Sequence, residues 1–214
     1  MATGKYGGAS VLFMVDGYNL IANKLKGLRY KHEALQEETT GLGDSWAEHT
    51  PTGLNKIELS QDGAFFDTAA GRIHVAMSAS VPPTPQAAVR IVCLGFAGQT
   101  LGESFVGLQG EYTEAYEVLG EVGKLTKANV VHRVTGRIDH GKILQPLATN
   151  TEDFTASSVD NTTSTAFGGV GYLQITASFG TFIGRIQHST DNSVWTTLIT
   201  FATASAPNAQ RVEV

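Results

Sequence analysis

Histidine, cysteine, tryptophan and clustered carboxylates are the side chains through which a chain of this kind could do chemistry. The six histidines, His32, His49, His74, His132, His140 and His188, are spread over separate segments with no ligand-spaced partner. His132 and His140 share a parity on one predicted strand but stand eight residues apart, roughly 27 Å at strand rise, too far to share an ion. No His-Glu-x-x-His pair, phosphate-cradling glycine loop or nucleophile elbow occurs in the sequence. Cys93, the one cysteine, lies in the apolar run Val89–Leu94. It reads as a small buried hydrophobe and rules out an internal disulfide or a zinc site built on paired cysteines. Asn161-Thr162-Thr163 is a glycosylation sequon, expected to be inert without a secretory signal. The glycines of Leu119-Gly120-Glu121-Val122-Gly123 and Phe167-Gly168-Gly169 precede no helix and read as turn residues. Trp46 and Trp195 could stack on sugar rings, although single aromatics serve packing more often. The sequence therefore points to no catalytic set, no metal and no cofactor.

The elements that would have to position such groups are β-strands. Of 214 residues, 42% are apolar, only 16% are charged and 24 are glycine, about 11% glycine against a usual ~7%. A glycine-rich, charge-poor chain with 10 Phe and 6 Tyr leans to strands joined by tight turns. The formal charge of −5 argues against a protein that grips nucleic acid through its phosphates. The opening Met1-Ala2-Thr3-Gly4-Lys5 lacks the basic and apolar regions of a signal peptide. No apolar run in the sequence approaches the ~18 residues of a membrane span. The expectation is a soluble protein made inside a cell.

Along the chain, Val11–Val15 is broken by Asp16-Gly17, a hairpin signal. An extended stretch runs from Lys26 to Thr40, followed by a predicted long loop over residues 41–55. A short strand over Lys56–Ser60 closes at Asp62-Gly63. Ala69, Ala70, Ile73, Ala76 and Met77 have helical spacing, with Asp67 or Thr68 as predicted cap and Val81-Pro82-Pro83 as stop. Ala87–Phe96 is nearly all apolar, as in a doubly buried strand. Glu103–Val118 alternates, with Val106, Leu108, Tyr112, Tyr116 and Val118 opposed to Glu103, Gln109, Glu111, Thr113 and Glu117. Lys127–His140 alternates likewise. The composition shift near Leu147 sets off residues 1–147 as a first, strand-rich domain, residues 148–169 as a Thr/Ser/Asn/Gly-rich linker and residues 170–214 as a small second β unit. A sandwich of that size would want one more strand after Val214.

Charge is unevenly placed. From Gly98 to Gly123 there are five acids, Glu103, Glu111, Glu114, Glu117 and Glu121, and no base. Residues 1–31 carry Lys5, Lys24, Lys26, Arg29 and Lys31 against Asp16, a net +4. Opposite strips on one subunit suit a head-to-tail interface, which closes into rings or grows into filaments.

Several phrases together resemble the major tail tube proteins of long-tailed, non-contractile (siphophage-type) bacteriophages: Gly41-Leu42-Gly43-Asp44-Ser45-Trp46, His49-Thr50-Pro51-Thr52-Gly53-Leu54, Gln61-Asp62-Gly63-Ala64-Phe65-Phe66-Asp67, Gly123-Lys124-Leu125-Thr126-Lys127-Ala128-Asn129 and Ile186-Gln187-His188-Ser189-Thr190-Asp191. Their order and spacing span most of the chain. The resemblance implies an all-β fold, a β-sandwich domain over residues 1–147 with one short helix followed by a small C-terminal β-sandwich, with rings of six subunits whose inner strands line a channel and stacking of those rings into the virion tail. It implies no enzymatic activity. The partners would be further copies of the chain, other phage tail proteins and passing double-stranded DNA bound without specificity, with no membrane. The N-terminal arm and the 41–55 loop would reach a neighbouring ring, so Asp44, Trp46, Glu48 and His49 become candidate inter-ring contacts. The C-terminal unit would lie on the tube exterior. DNA sliding favours a lining that repels phosphate, which makes Glu103, Gln109, Glu111 and Glu117 candidate channel-lining residues. The competing expectation is a tail or baseplate protein whose C-terminal sandwich binds glycan through Trp195, Tyr172 or Phe182. A small β-rich hydrolase would need clustered acid and base residues that the sequence does not supply.

Overall fold

A computed structural model of the chain describes residues 11–214 except 24, 44, 70–71, 79–89, 97, 135, 151, 162–166 and 178–179; of residues 22, 23, 111 and 112 it describes the backbone alone. The predicted Val81-Pro82-Pro83 stop, Asp44 and residues 1–10 lie outside the described residues. The apolar run at the start gives β1 (Leu12–Val15), buried throughout. Asp16 and Gly17 have φ of 50° and 84°, the two positive values a type I′ hairpin needs, and turn the chain into β2 (Tyr18–Asn19). A single 3-10 turn leads to β3 (Gly27–Glu38), which pairs antiparallel with β4 (His49–Phe65). The predicted 41–55 loop is thus shorter than its composition suggests, because β4 already begins at His49. The short strand expected at 56–60 is the middle of that 17-residue strand, bulged between Gln61 and Ala64 beside Gly63 (φ 69°).

The helix is also shorter than its spacing predicts. It spans Ile73–Met77 (α1) with Arg72 as N-cap and no side-chain cap bond. Asp67 Oδ1 accepts the Ala69 N–H at 2.9 Å instead, a local turn that competes with helix. Then come β5 (Arg90–Gly95), β6 (Ser104–Leu119), β7 (Lys127–Val134) and β8 (Ile138–Lys142). The predicted Lys127–His140 strand is therefore two strands.

β6 organises the domain. Its first half lies between β5 and β8, and its second half, from Glu111 on, pairs with β7. Two irregularities make the corner, one at Gly110 (φ 84°) opposite Arg90/Ile91 and one between Thr113 and Ala115. Bulges of this kind let one strand serve two packed layers. The front layer runs β2-β1-β5-β6-β8 and the back layer β6-β7-β4-β3. Phe13, Val15, Val92, Leu94, Val106 and Leu108 of the front meet Leu59, Ala64, Ala128 and Val130 of the back in one core, joined by Ile73 and Met77 of α1. Arg90 ties α1 to this core: it is 5% exposed, donates to Ala76 O at 3.0 Å and pairs with Asp16 at 3.2 Å.

The C-terminal unit has four strands, β9 (Val170–Ile175), β10 (Arg185–His188), β11 (Thr196–Thr200) and β12 (Asn208–Glu213). β9 pairs with β12 and β10 with β11. The two ribbons pack at Gly171, where a Cβ would meet Ile186, Ile199 and Phe201 at 2.7–3.0 Å. β12 is matched to β9 along its whole length, and Val214 exchanges backbone hydrogen bonds with Gly169. Among the described residues the unit thus pairs its last strand internally.

Candidate assembly surfaces

The back layer is a four-stranded antiparallel sheet. Among the described residues, no strand pairs with the outer edge of β3 or with the outer edge of β6 over residues 112–119. Unpaired edges of this length invite another strand. Their charges differ: Arg29 and Lys31 stand on β3, and Glu114 and Glu117 on β6.

The face of this sheet turned away from the core is polar and charge-balanced. Register puts Lys31 beside Glu58, and Glu58 beside Arg133. Arg133 donates to Glu58 at 3.1 Å and to Glu114 at 2.6 Å, while Lys31 pairs with Glu33 and Asn129 donates to Glu117 at 3.3 Å. Its best-placed cations are already held by carboxylates.

The four residues expected to line a channel do not share one face. Tyr172 contacts both Phe105 and the Gly107 position, so the 105, 107, 109 parity, which includes half-buried Gln109, is the side of the front layer against which the C-terminal unit packs. Glu103 is half-buried just before β6, and its carbonyl accepts the Ile143 N–H at 2.8 Å. Glu111 pairs in backbone register with Arg90 and Val134 at the corner, and its side chain lies outside the described residues. Glu117 alone stands on the open face of the back layer, in register with Asn129. The physical reason is the corner itself, since each bulge shifts parity by one. Thr113, on the predicted polar side, is 1% exposed, while Val118, on the predicted core side, is 44% exposed. The acidic strip is also partly neutralised, Glu114 by Arg133 and Glu121 by Lys124.

Trp46, Glu48 and His49 do come together, at the end of the β3–β4 hairpin. Glu48 N–H donates to Thr40 Oγ1 at 3.0 Å, and Thr39 N–H to Glu48 O at 2.9 Å. β4 leaves β7 after the Ile57–Val134 pair, so the described residues from 34 to 55 form a free arm with every side chain exposed. Trp46 is 85% exposed and Leu42 fully so.

The other aromatics expected to bind glycan are differently used. Tyr172 OH donates to Asp139 at 2.5 Å, and its ring packs edge-on to Phe105 over Gly107, where any Cβ would enter the ring. Arg211 donates to Asp139 at 3.0 Å and lies over the same ring. Gly17 N–H donates to Gln174 at 2.7 Å, which in turn donates to Ile91 O at 3.0 Å. Phe182 bridges to Ala204 inside the unit, and Trp195 is 41% exposed. This clasp was not visible in the sequence, although Gly107 inside a strand was a signal of close approach.

The clasp perturbs its own groups. Burial pushes the Asp139 carboxyl up, but hydrogen bonds from Tyr172 and Arg211 outweigh it and hold the net value below the ordinary range. Burial, then the bond to Asp139, raises the Tyr172 phenol. Burial pushes the Cys93 thiol up to about 12. His132 is buried edge-on to Phe13, His74 bonds Tyr116 at 3.0 Å and His32 bonds Asn55 at 3.2 Å. Among the described residues no three His, Cys, Asp or Glu side chains are grouped to hold a metal, and no helix is long and apolar enough to cross a membrane.

No protein-family model matches this sequence, and no curated protein matches it. Among solved structures, the chain is similar to a chain from the virion of a native gene transfer agent particle, at 14% identity and a TM-score of 0.46, over 64% of this chain and 99% of that one. It is similar to the same extent to a chain from the tail of an empty gene transfer agent particle with C6 symmetry, at 12% identity and a TM-score of 0.46 over 64% of this chain and 99% of that one.

Proposed function

We propose that this chain is a structural virion protein, the repeating subunit of a phage tail tube through which DNA passes. The observation that carries the reading is the back layer, a four-stranded antiparallel sheet open at both edges among the described residues. Because neighbours alternate in direction along β3-β4-β7-β6, the β6 edge of one copy meets the β3 edge of the next antiparallel. Such a heterologous contact closes into a ring, and Arg29 and Lys31 then face Glu114 and Glu117 of the neighbour. A closed barrel has no edges left to aggregate.

In that ring, with the core and the front layer outside, the Lys31, Glu58, Arg133 and Glu117 face lines the bore, and the C-terminal unit lies on the exterior. A lining whose cations are pre-paired releases few counterions from DNA and binds it weakly. The lining is thus assigned to Glu58, Glu114 and Glu117, and low adhesion comes from paired charge as much as from acidity. The phage assignment itself draws on the sequence resemblance, which also supplies the ring number of six.

The test is electron microscopy of the concentrated chain together with cysteine pairs placed on β3 (Arg29, Lys31 or Glu33) and on β6 (Ala115, Glu117 or Leu119). Hollow tubes with covalent inter-subunit ladders between the two strands are expected. A protein that stays monomeric at high concentration and cross-links at no pair overturns the proposal.

A further inference from the structure

We infer that the outer face of the front layer is a self-sufficient docking surface for the C-terminal unit, which stays seated there when the connecting segment is cut. The face itself is apolar. Leu12, Met14, Cys93 and Ile143 form a cluster of their own, with Phe105 and Tyr172 packed against it. On β1 and β5, Leu12, Met14 and Cys93 have the parity opposite to Phe13, Val15, Val92 and Leu94 of the main core. On a bare sheet they would meet water, yet Leu12, Met14, Cys93 and Ile143 are at most 9% exposed.

The cover is the β9–β12 ribbon, and β9 crosses the layer from β8 to the β1–β2 turn. Tyr172 lies over Gly107 of β6 and reaches Asp139 of β8, Gln174 lies against Cys93 of β5, and Ile175 meets Gly17. Two glycines make room for this crossing. A Cβ at Gly107 would enter the Tyr172 ring, and one at Gly17 would press on the Ile175 carbonyl oxygen. Polar contacts fix both ends. At one end Asp139 receives Tyr172 and Arg211, and Arg137 pairs with Glu213 at 3.1 Å. At the other, the Gln174 oxygen accepts the Gly17 N–H and its nitrogen donates to Ile91 O. Tyr and Arg anchors around a close-packed apolar centre are what dominate binding between separate proteins.

The connecting segment is of a different kind. Residues 147–161 are exposed at every described position except Val159, and the stretch is rich in Thr, Ser and Asn. Exposed segments of this composition are where proteases nick a folded chain. A flexible tether of this sort holds its unit at roughly millimolar local concentration. Cutting it therefore releases the unit only if the surface alone binds too weakly for the working concentration. With anchors at both ends, the surface is expected to hold at about 1 μM. A chain nicked in this segment thus keeps its C-terminal unit, and loss of the unit requires the clasp itself to open.

The test is the full chain carrying a site-specific protease sequence between Ser157 and Ser158. After cleavage the two pieces are expected to leave a sizing column together at about 1 μM and to separate in denaturant. Cys93, whose Sγ lies 3.7 Å from the Gln174 amide nitrogen, is expected to react with a maleimide no faster than in the uncut chain. Tyr172→Ala and Gly107→Ala, cut in the same way, are expected to release the smaller piece and to raise Cys93 labelling about tenfold or more. Circular dichroism of the uncut variants establishes folding. Tyr172→Ala only removes atoms from the contact, so it carries the test if Gly107→Ala does not fold. Cut parent pieces that part at about 1 μM overturn the inference, and so do folded variants that stay joined after cutting with Cys93 still protected. Neither readout involves a ring or a tube, so the tube reading stands or falls separately.

Discussion

Asp139 shows how much a single carboxylate holds in this molecule. It receives Tyr172 OH and Arg211 Nε and is only 17% exposed. Replacing it with Ala leaves Arg211, 9% exposed, without its buried partner, at about 3 kcal/mol. Tyr172→Phe removes one charge-assisted bond and is expected to cost ~2 kcal/mol. Because the folded pKa of Asp139 is depressed, its contribution is complete above the unfolded carboxylate value of ~3.9 and fades as pH falls through the lower folded value. Thermal melts between pH 7 and pH 2 should therefore lose less stability in Asp139→Asn than in the parent, and parallel curves would contradict this. None of the clasp was legible from residue types. Tyr172 looked like a surface aromatic because its partners lie 33 and 39 residues away in sequence, and alternation reports a face without reporting what covers it. Cys93, by contrast, sat in an apolar run that had to be buried, and it is.

At the level of elements, β6 separates what periodicity can tell from what it cannot. Its existence, length and strand character follow from the sequence, and Val106 and Leu108 are buried as their parity requires. The parity fails between Gly110 and Ala115, because the first bulge turns Thr113 into the core, and the second, between Thr113 and Ala115, restores Tyr116 to the core side. Gly110 at φ 84° is the residue that permits this. Gly110→Val is expected to destabilise the domain by about 2 kcal/mol, measured by urea unfolding, with an unchanged midpoint contradicting its role at the corner. The hairpin arm was missed for a related reason. Pro51, Gly53 and Thr-rich composition read as loop, yet before residue 57 β4 has, among the described residues, no partner on its far side, and a strand with a free edge tolerates proline. Amide exchange in the arm should be fast in monomers and slow in tubes, and equal protection in both would count against an assembly role for it.

The whole molecule combines a sandwich with the surfaces through which copies are proposed to join. One layer is covered outside by the clasped C-terminal unit, and the other presents two edges unpaired among the described residues and a polar face on which Glu58, Arg133, Glu114 and Glu117 lie. The all-β class was legible because composition and period-2 patterning are local. The proposed assignment of bore, edges and exterior was not, because it depends on which way β6 turns. Replacing Glu58, which lies on an inner strand away from both edges, with Gln is expected to keep tubes intact, slow DNA ejection and steepen its salt dependence by releasing Arg133; ejection at the parent rate would remove Glu58 from the lining. The central claim is that copies join through β3 and the 112–119 segment of β6. Cryo-electron microscopy of the assembled full chain tests it most directly. The account predicts a closed barrel in which each β3 lies antiparallel to residues 112–119 of the next subunit, with Arg133 facing the bore. An assembly in which both of those edges face solvent, with subunits joined through their C-terminal units, would contradict it.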